Sequence, residues 1–198
     1  MTSVSDDLCK DNRPELSPQA LCHVVLRTSP SQYERMIEFY LLVLGGRVSH
    51  KTHRLCFLGY DEEHHRLAII ADPYAVPKSA NIKPVVGLHH MAFGFPQLSD
   101  LVTSYEQKKS AGVMPDWCVN HGMTISMYYN DPDGNQVEFQ VDTLDSARAA
   151  VDYMNSAEFE ENPVGVDFDP EEFCRRVKSG EDEAAIKRRP KIGKRDRR

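Results

Sequence analysis

The sequence predicts an α+β fold made of two βαβββ modules that together form a curved mixed sheet, followed by a helical extension. Three observations lead there. An apolar, β-branched run followed by a helix-spaced run ending in glycine occurs twice, as LCHVVLRT with its helix and as LHHMAFGF with its helix. Each pair is followed by three short strand-like runs separated by polar turns. At 198 residues and 40% hydrophobic, the chain is long enough for one substantial domain or two small units sharing a core.

Residues 1–19 form an N-terminal extension, and the first module covers 20–72. It opens with the strand ALCHVVLRT (20–28) and continues with the helix PSQYERMIEFYLLVLGG (30–46), closed by its glycines. GRVSHKT, HRLCFLGY and HRLAIIAD supply the three further strands. The Pro-rich stretch within 73–85 is a linker. The second module, 86–142, repeats the order: strand VGLHHMAFGF, helix 97–112, strands DWCVNHG and TISMYYND, the turn DPDG, and strand NQVEFQVD. Residues 143–181 form the extension, with a helix over 143–156 and a second start at Asp169-Pro170, an acidic cap with proline just inside.

Aligning the two modules sets His23 opposite His90 and leaves His89 opposite Cys22. In a strand, residues two apart share a face, so His90 travels with Ala92 and Gly94, whose small side chains leave room for a ligand. Taken alone, His89 and His90 would read as one core imidazole and one surface imidazole. Glu138 alters that balance, because it sits in the apolar strand QVEFQV, where a lone carboxylate is costly to bury. It is either a water-facing edge residue, sharing a face with Gln136 and Gln140, or the partner of a cation. His23, His90 and Glu138 then offer two imidazoles and one carboxylate from three strands, the ligand set of open non-haem Fe(II) sites. The matching strand of the first module, RLAIIAD, is apolar and adds no evident fourth ligand.

The paired modules resemble the vicinal oxygen chelate (glyoxalase/bleomycin resistance/dioxygenase) superfamily over about residues 20–142. The stretch VNHGMTISMYYNDPDGNQVE (119–138) resembles the signature of the small type I extradiol ring-cleavage dioxygenases. That resemblance implies a sheet curved around a metal pocket, with His23, His90 and Glu138 as ligands of Fe(II) and Mn(II) as the alternative ion. It implies His121 as a catalytic acid/base and Tyr128 as a hydrogen-bonding group toward the substrate hydroxyl or dioxygen. The implied reaction opens a catechol-like ring with dioxygen, as in aromatic compound catabolism. A glyoxalase-type metal-dependent lyase or isomerase, and a non-catalytic small-molecule binding protein of the same fold, are the alternatives.

The remaining features bound the setting. The five scattered cysteines lack a CxxC pair and fit reduced thiols; with no secretory or membrane-spanning pattern, a cytoplasmic site is expected. KRRPKIGKRDRR (187–198) carries eight basic residues and one acidic one, leaving −13 on the rest of a chain whose total is −6. With an acidic body and no interleaved aromatics, nucleic acid is not the expected partner, and 182–198 is expected to be a disordered basic tail. A homo-oligomer is compatible with the sequence.

Overall fold

The repeated pattern resolves into two matching strand–helix–hairpin units. The structure is a computed structural model that describes residues 17–76 and 86–195. In the first half β1 (Val24–Thr28), α1 (Tyr33–Leu44), β2 (Arg47–Lys51), β3 (Leu55–Gly59) and β4 (Leu67–Ala71) follow in order. The second half has β5 (His90–Phe95), α2 (Leu98–Ser110), β6 (Trp117–Asn120), β7 (Thr124–Asn130) and β8 (Gln136–Asp142). The strands form a four-stranded sheet, β1-β4-β3-β2, and a five-stranded sheet, β5-β8-β7-β6-β9, whose last member, β9 (Val166–Asp167), comes from the extension. In each half the first and last strands pair in parallel across a helical crossover.

α1 turns Met36, Ile37, Tyr40 and Val43 inward at helical spacing. Its end is set by Gly45, whose positive φ of 58° suits the left-handed cap. α2 likewise buries Leu98, Leu101, Val102 and Tyr105. Both helices share one apolar cluster with Leu67 and Ile69 of β4 and Val137, Phe139 and Val141 of β8. The halves are also tied by a polar contact. Tyr40 Oη donates to Asp131 Oδ2 at 2.9 Å, while Asp131 accepts from the backbone N–H groups of Asp133 (3.0 Å) and Asn135 (2.7 Å). Asp131 thus shapes the Asp-Pro-Asp-Gly turn before β8 and anchors it to α1.

The extension contains α3 (Ala147–Met154), α4 (Ala157–Glu161), β9, α5 (Pro170–Lys178) and α6 (Glu183–Lys187). Asp169 caps α5 by accepting from Glu172 N at 2.9 Å, with Pro170 as its first residue. β9 pairs antiparallel with β6, so the extension completes the second sheet. Close approach there requires glycine: a Cβ on Gly122 (φ 97°) would collide with the Tyr153 phenol, and one on Gly165 (φ 109°) with the Asn120 carbonyl.

The expected disordered tail is a correction for residues 182–195. Among them α6 buries Ile186, and Arg189, 8% exposed, donates to the carbonyls of Asn162 (2.7 Å) and Glu158 (3.0 Å). Arg195 pairs with Asp167 at 2.8 Å. The basic run is held because carbonyls and carboxylates of the extension accept from its arginines. Residues 196–198, most of the N-terminal extension, Cys9 and 77–85 of the linker lie outside the described residues. The other four cysteines are free thiols, and no described helix is long and apolar enough to cross a membrane.

Replacing Asp131 with Ala leaves the Tyr40 hydroxyl and two turn N–H groups without their acceptor. Urea denaturation of Asp131→Ala is expected to show a loss of about 2–4 kcal/mol in unfolding free energy. A loss below about 0.5 kcal/mol would remove this contact as the tie between the halves.

Candidate metal centre

Register brings the polar side chains of the second sheet to one face. β5 and β8 place Ala92 beside Glu138, and β7 and β8 place Tyr128 opposite Glu138 and Ser126 opposite Gln140. The odd-numbered residues Met127, Tyr129, Val137 and Phe139 point the other way into the core. A slip of one residue would exchange the two sets.

On the polar face, Glu138 is 4% exposed and its Oε2 lies 3.0 Å from His90 Nε2. Ser126 and Tyr128 also hydrogen-bond this carboxylate. Burial pushes the Glu138 carboxyl pKa up, but the bonds from His90, Ser126 and Tyr128 prevail and hold it below the ordinary value. Among the described residues, no lysine or arginine forms an ion pair with it. Glu138 is therefore a buried carboxylate whose basic partner is an imidazole.

His90 is positioned on both ring edges. Its Nε2 lies 3.0 Å from Glu138 Oε2, and its Nδ1 lies 2.7 Å from His89 Nδ1. The sequence therefore pairs the rings in series, with His90 facing the carboxylate and exposed His89 behind it.

His121 follows β6, fixed by its backbone N–H to the Thr124 carbonyl at 2.9 Å. Its Nδ1 lies 2.6 Å from the Val164 carbonyl, which can only accept, so Nδ1 carries the proton. Nε2 is then the free base of the neutral ring, 3.0 Å from Tyr128 Oη. Burial lowers the His121 pKa, against a smaller raising effect from the Val164 bond. Burial also pushes the Tyr128 hydroxyl pKa up, reinforced by Glu138. The single proton of Tyr128 thus has two acceptors, Glu138 and His121 Nε2. Trp117 stacks on the Tyr128 ring at 4.9 Å and fixes its plane.

These four residues line a cavity of about 630 Å³, within the ~300–1,000 Å³ of ordinary ligand sites. Its other wall is the extension, with Ala147, Ala150, Val151 and Met154 of α3 facing the sheet.

His23 stands apart from them. It is exposed just before β1, and its ring centroid lies 4.7 Å from that of His65, in the turn before β4. Among the described residues no three His, Cys, Asp or Glu side chains are grouped so as to hold a metal ion. The parallel pairs make Ala68, opposite Val25, the counterpart of Glu138, opposite Ala92. The structure thus brings His90, Glu138, His121 and Tyr128 together, and leaves His23 apart, just before β1, where the module alignment sets it opposite His90.

Sequence reasoning missed Trp117, the Val164 carbonyl and the α3 wall. Trp117 was accessible in principle, since the antiparallel register that places it opposite Tyr128 follows from the turn between β6 and β7. The other two depend on how the extension folds back, which no local pattern encodes.

The family model of the Glyoxalase/Bleomycin resistance protein/Dioxygenase superfamily matches residues 21–139. Biphenyl-2,3-diol 1,2-dioxygenase 2 of Rhodococcus globerulus is 46% identical over 149 residues, covering 75% of this chain and 76% of that protein. Biphenyl-2,3-diol 1,2-dioxygenase 3 of the same organism is 39% identical over 167 residues, covering 84% and 86%. Among solved structures, a glyoxalase/dioxygenase from Nostoc punctiforme aligns with a TM-score of 0.50 at 17% identity, over 64% of this chain and 95% of that one. Fosfomycin resistance protein FosX from Mesorhizobium loti aligns with a TM-score of 0.50 at 18% identity, over 68% and 99%. The last two bear on the fold alone.

The lowered pKa of His121 has a measurable sign. The neutral ring is favoured on folding, so this group's contribution to stability is complete above its unfolded value of 6.5 and is lost as pH falls through the folded pKa. Imidazole NMR titration of the metal-free protein is expected to give His121 a midpoint below 6.5. A midpoint above that value would remove it as a neutral base.

Proposed function

The chain belongs to the glyoxalase/bleomycin resistance protein/dioxygenase superfamily and is an extradiol ring-cleavage dioxygenase of it, and we propose that His23, His90 and Glu138 hold its Fe(II). The observation that carries the reading is the His90–Glu138 contact at 3.0 Å beneath the His121–Tyr128 pair. The donor set fits the ion. Among the described residues no lysine or arginine pairs with the Glu138 carboxylate, 4% exposed, and two imidazoles with one carboxylate leave coordination positions open. His23 is exposed and occupies in the first module the place of His90 in the second, which supports it as the third ligand. Mn(II) is the alternative occupant of the same donors.

The bound ion would supply adjacent open positions for a diol and dioxygen, and the electron transfer that joins them. The protein's own residues manage protons and shape. The unprotonated Nε2 of His121 takes the proton that a catechol-like hydroxyl releases on binding, while the Val164 carbonyl holds the other ring edge. Tyr128 keeps its proton under burial and donates a hydrogen bond to whichever oxygen develops negative charge. α3 lines one side of the cavity with apolar carbons, which accommodates a second aromatic ring. The relatives' names describe a cut at the 1,2 bond of a 2,3-diol, one bond outside the hydroxyl pair. The same class of substrate, an aryl-substituted catechol opened to a carboxylate and a ketone with both oxygen atoms retained, is proposed here. The reduced thiols suit a cytoplasmic enzyme, and a homo-oligomer remains compatible with the exposed first sheet.

The glyoxalase-type alternative wants a fourth protein ligand, and Ala68 stands where the second carboxylate would be. The non-catalytic alternative wants no metal.

Anaerobic reconstitution with Fe(II), metal analysis and oxygen uptake on 2,3-dihydroxybiphenyl test the proposal together. Ala in place of His23, His90 or Glu138 is expected to remove most bound iron while leaving secondary structure intact; full occupancy in His23→Ala would exclude it as a ligand. His121→Ala is expected to keep iron and lose about 100-fold or more in turnover. Tyr128→Phe should keep iron and fold and lose about 10- to 100-fold, the worth of one hydrogen bond to a charged oxygen. A lower melting temperature with unchanged turnover would make Tyr128 a core residue only.

A further inference from the structure

Behind the strands that carry His90 and Glu138 lies a second cavity, of about 420 Å³. It sits between the end of α1, the edge strand β5 and α2. Leu42, Val43, Phe93, Phe95 and Phe139 give it apolar walls, and Lys108 is among its lining residues. It shares no lining residue with the metal pocket.

Lys108 is the anomaly. It is 2% exposed, and its Nζ lies 3.9 Å from the centre of the Phe139 ring and 5.7 Å from that of Tyr129. It donates to Ser104 Oγ, and at 3.5 Å to the Ser104 carbonyl. Among the described residues no carboxylate pairs with it, and burial alone pushes its pKa down to about 8. The ring faces offset only part of the cost of burying an ammonium, and among the described residues it has no counter-ion. Asp100, the acidic residue of the cavity lining, makes no ion pair with it.

A cation under apolar walls selects an anion with an apolar body. One positive charge and three phenylalanines fit a monoanion with a flat ring better than a phosphate or a metal. We propose that this cavity is a binding site for a small aromatic carboxylate, its head on Lys108 and its ring against the phenylalanine wall.

Calorimetric titration with cinnamate, with cinnamamide as the neutral counterpart, tests the site on the full chain. Saturable binding of cinnamate is expected, with cinnamamide weaker by about 10-fold or more, the worth of one charge-assisted hydrogen bond. Lys108→Met, which keeps length and apolar character, should cost the same factor. Thr103→Phe, at an exposed lining position on α2, should block entry without touching Lys108 and decides the matter if Lys108→Met fails to fold. His121→Ala should leave binding unchanged. No binding at millimolar cinnamate, undiminished affinity in Thr103→Phe, or loss in His121→Ala would each overturn the site, the last by placing the probe in the metal pocket.

Discussion

A carboxylate buried on a β-strand is the constraint around which the second half of this protein is organised. Glu138 is 4% exposed in the middle of β8, between Val137 and Phe139 of the core. An isolated ionised group there would neutralise by raising its pKa. Its pKa is held down instead, because the two flanking strands deliver three donors: His90 from β5, and Ser126 and Tyr128 from β7. That delivery depends on parallel pairing on one side and antiparallel pairing on the other, both in one register. The strand order and the site are consequently one fact.

The extension supplies what the paired modules lack. Its Val164 carbonyl fixes the His121 tautomer, its α3 walls the cavity, and its β9 extends the sheet beside β6. Arg189 and Arg195 tie the end of the described chain back onto it. Residues distant in sequence thus decide which nitrogen of His121 is basic. A module pair without the extension would leave that ring with neither its Nδ1 acceptor nor its dry surroundings.

Fold and site were legible in the sequence to different depths. Periodicity and two glycine-stopped helices gave the module order, because these signals are local. Parity along TISMYYN put Tyr128 and Ser126 on one face and Met127 on the other, as the buried pairs show. The repeat alignment gave the choice of His90 over His89 in the same way, and His90 is the ring against Glu138. Charge patterning failed for 182–195, since the composition of a basic run says nothing about carbonyl acceptors elsewhere in the chain. Lys108 was invisible for a similar reason: on α2 it reads as one of two adjacent lysines near a helix end, and only the crossing of α2 over β5 and β8 buries it.

The two modules began from one pattern, and their differences locate the function. At matching register the first has Ala68 and the second Glu138; the first keeps an exposed β1 face and the second is walled by α3. If His23, His90 and Glu138 hold the ion as proposed, a carboxylate in place of Ala68 would fill a coordination position that a diol and dioxygen need. The asymmetry also confines burial cost to one half: the first sheet's matching position is plain hydrocarbon and needs no donors, while the second spends three side chains on a single carboxylate. The polar side chains that line the cavity are thus concentrated in the second copy of the repeat, while the matching register position of the first is apolar.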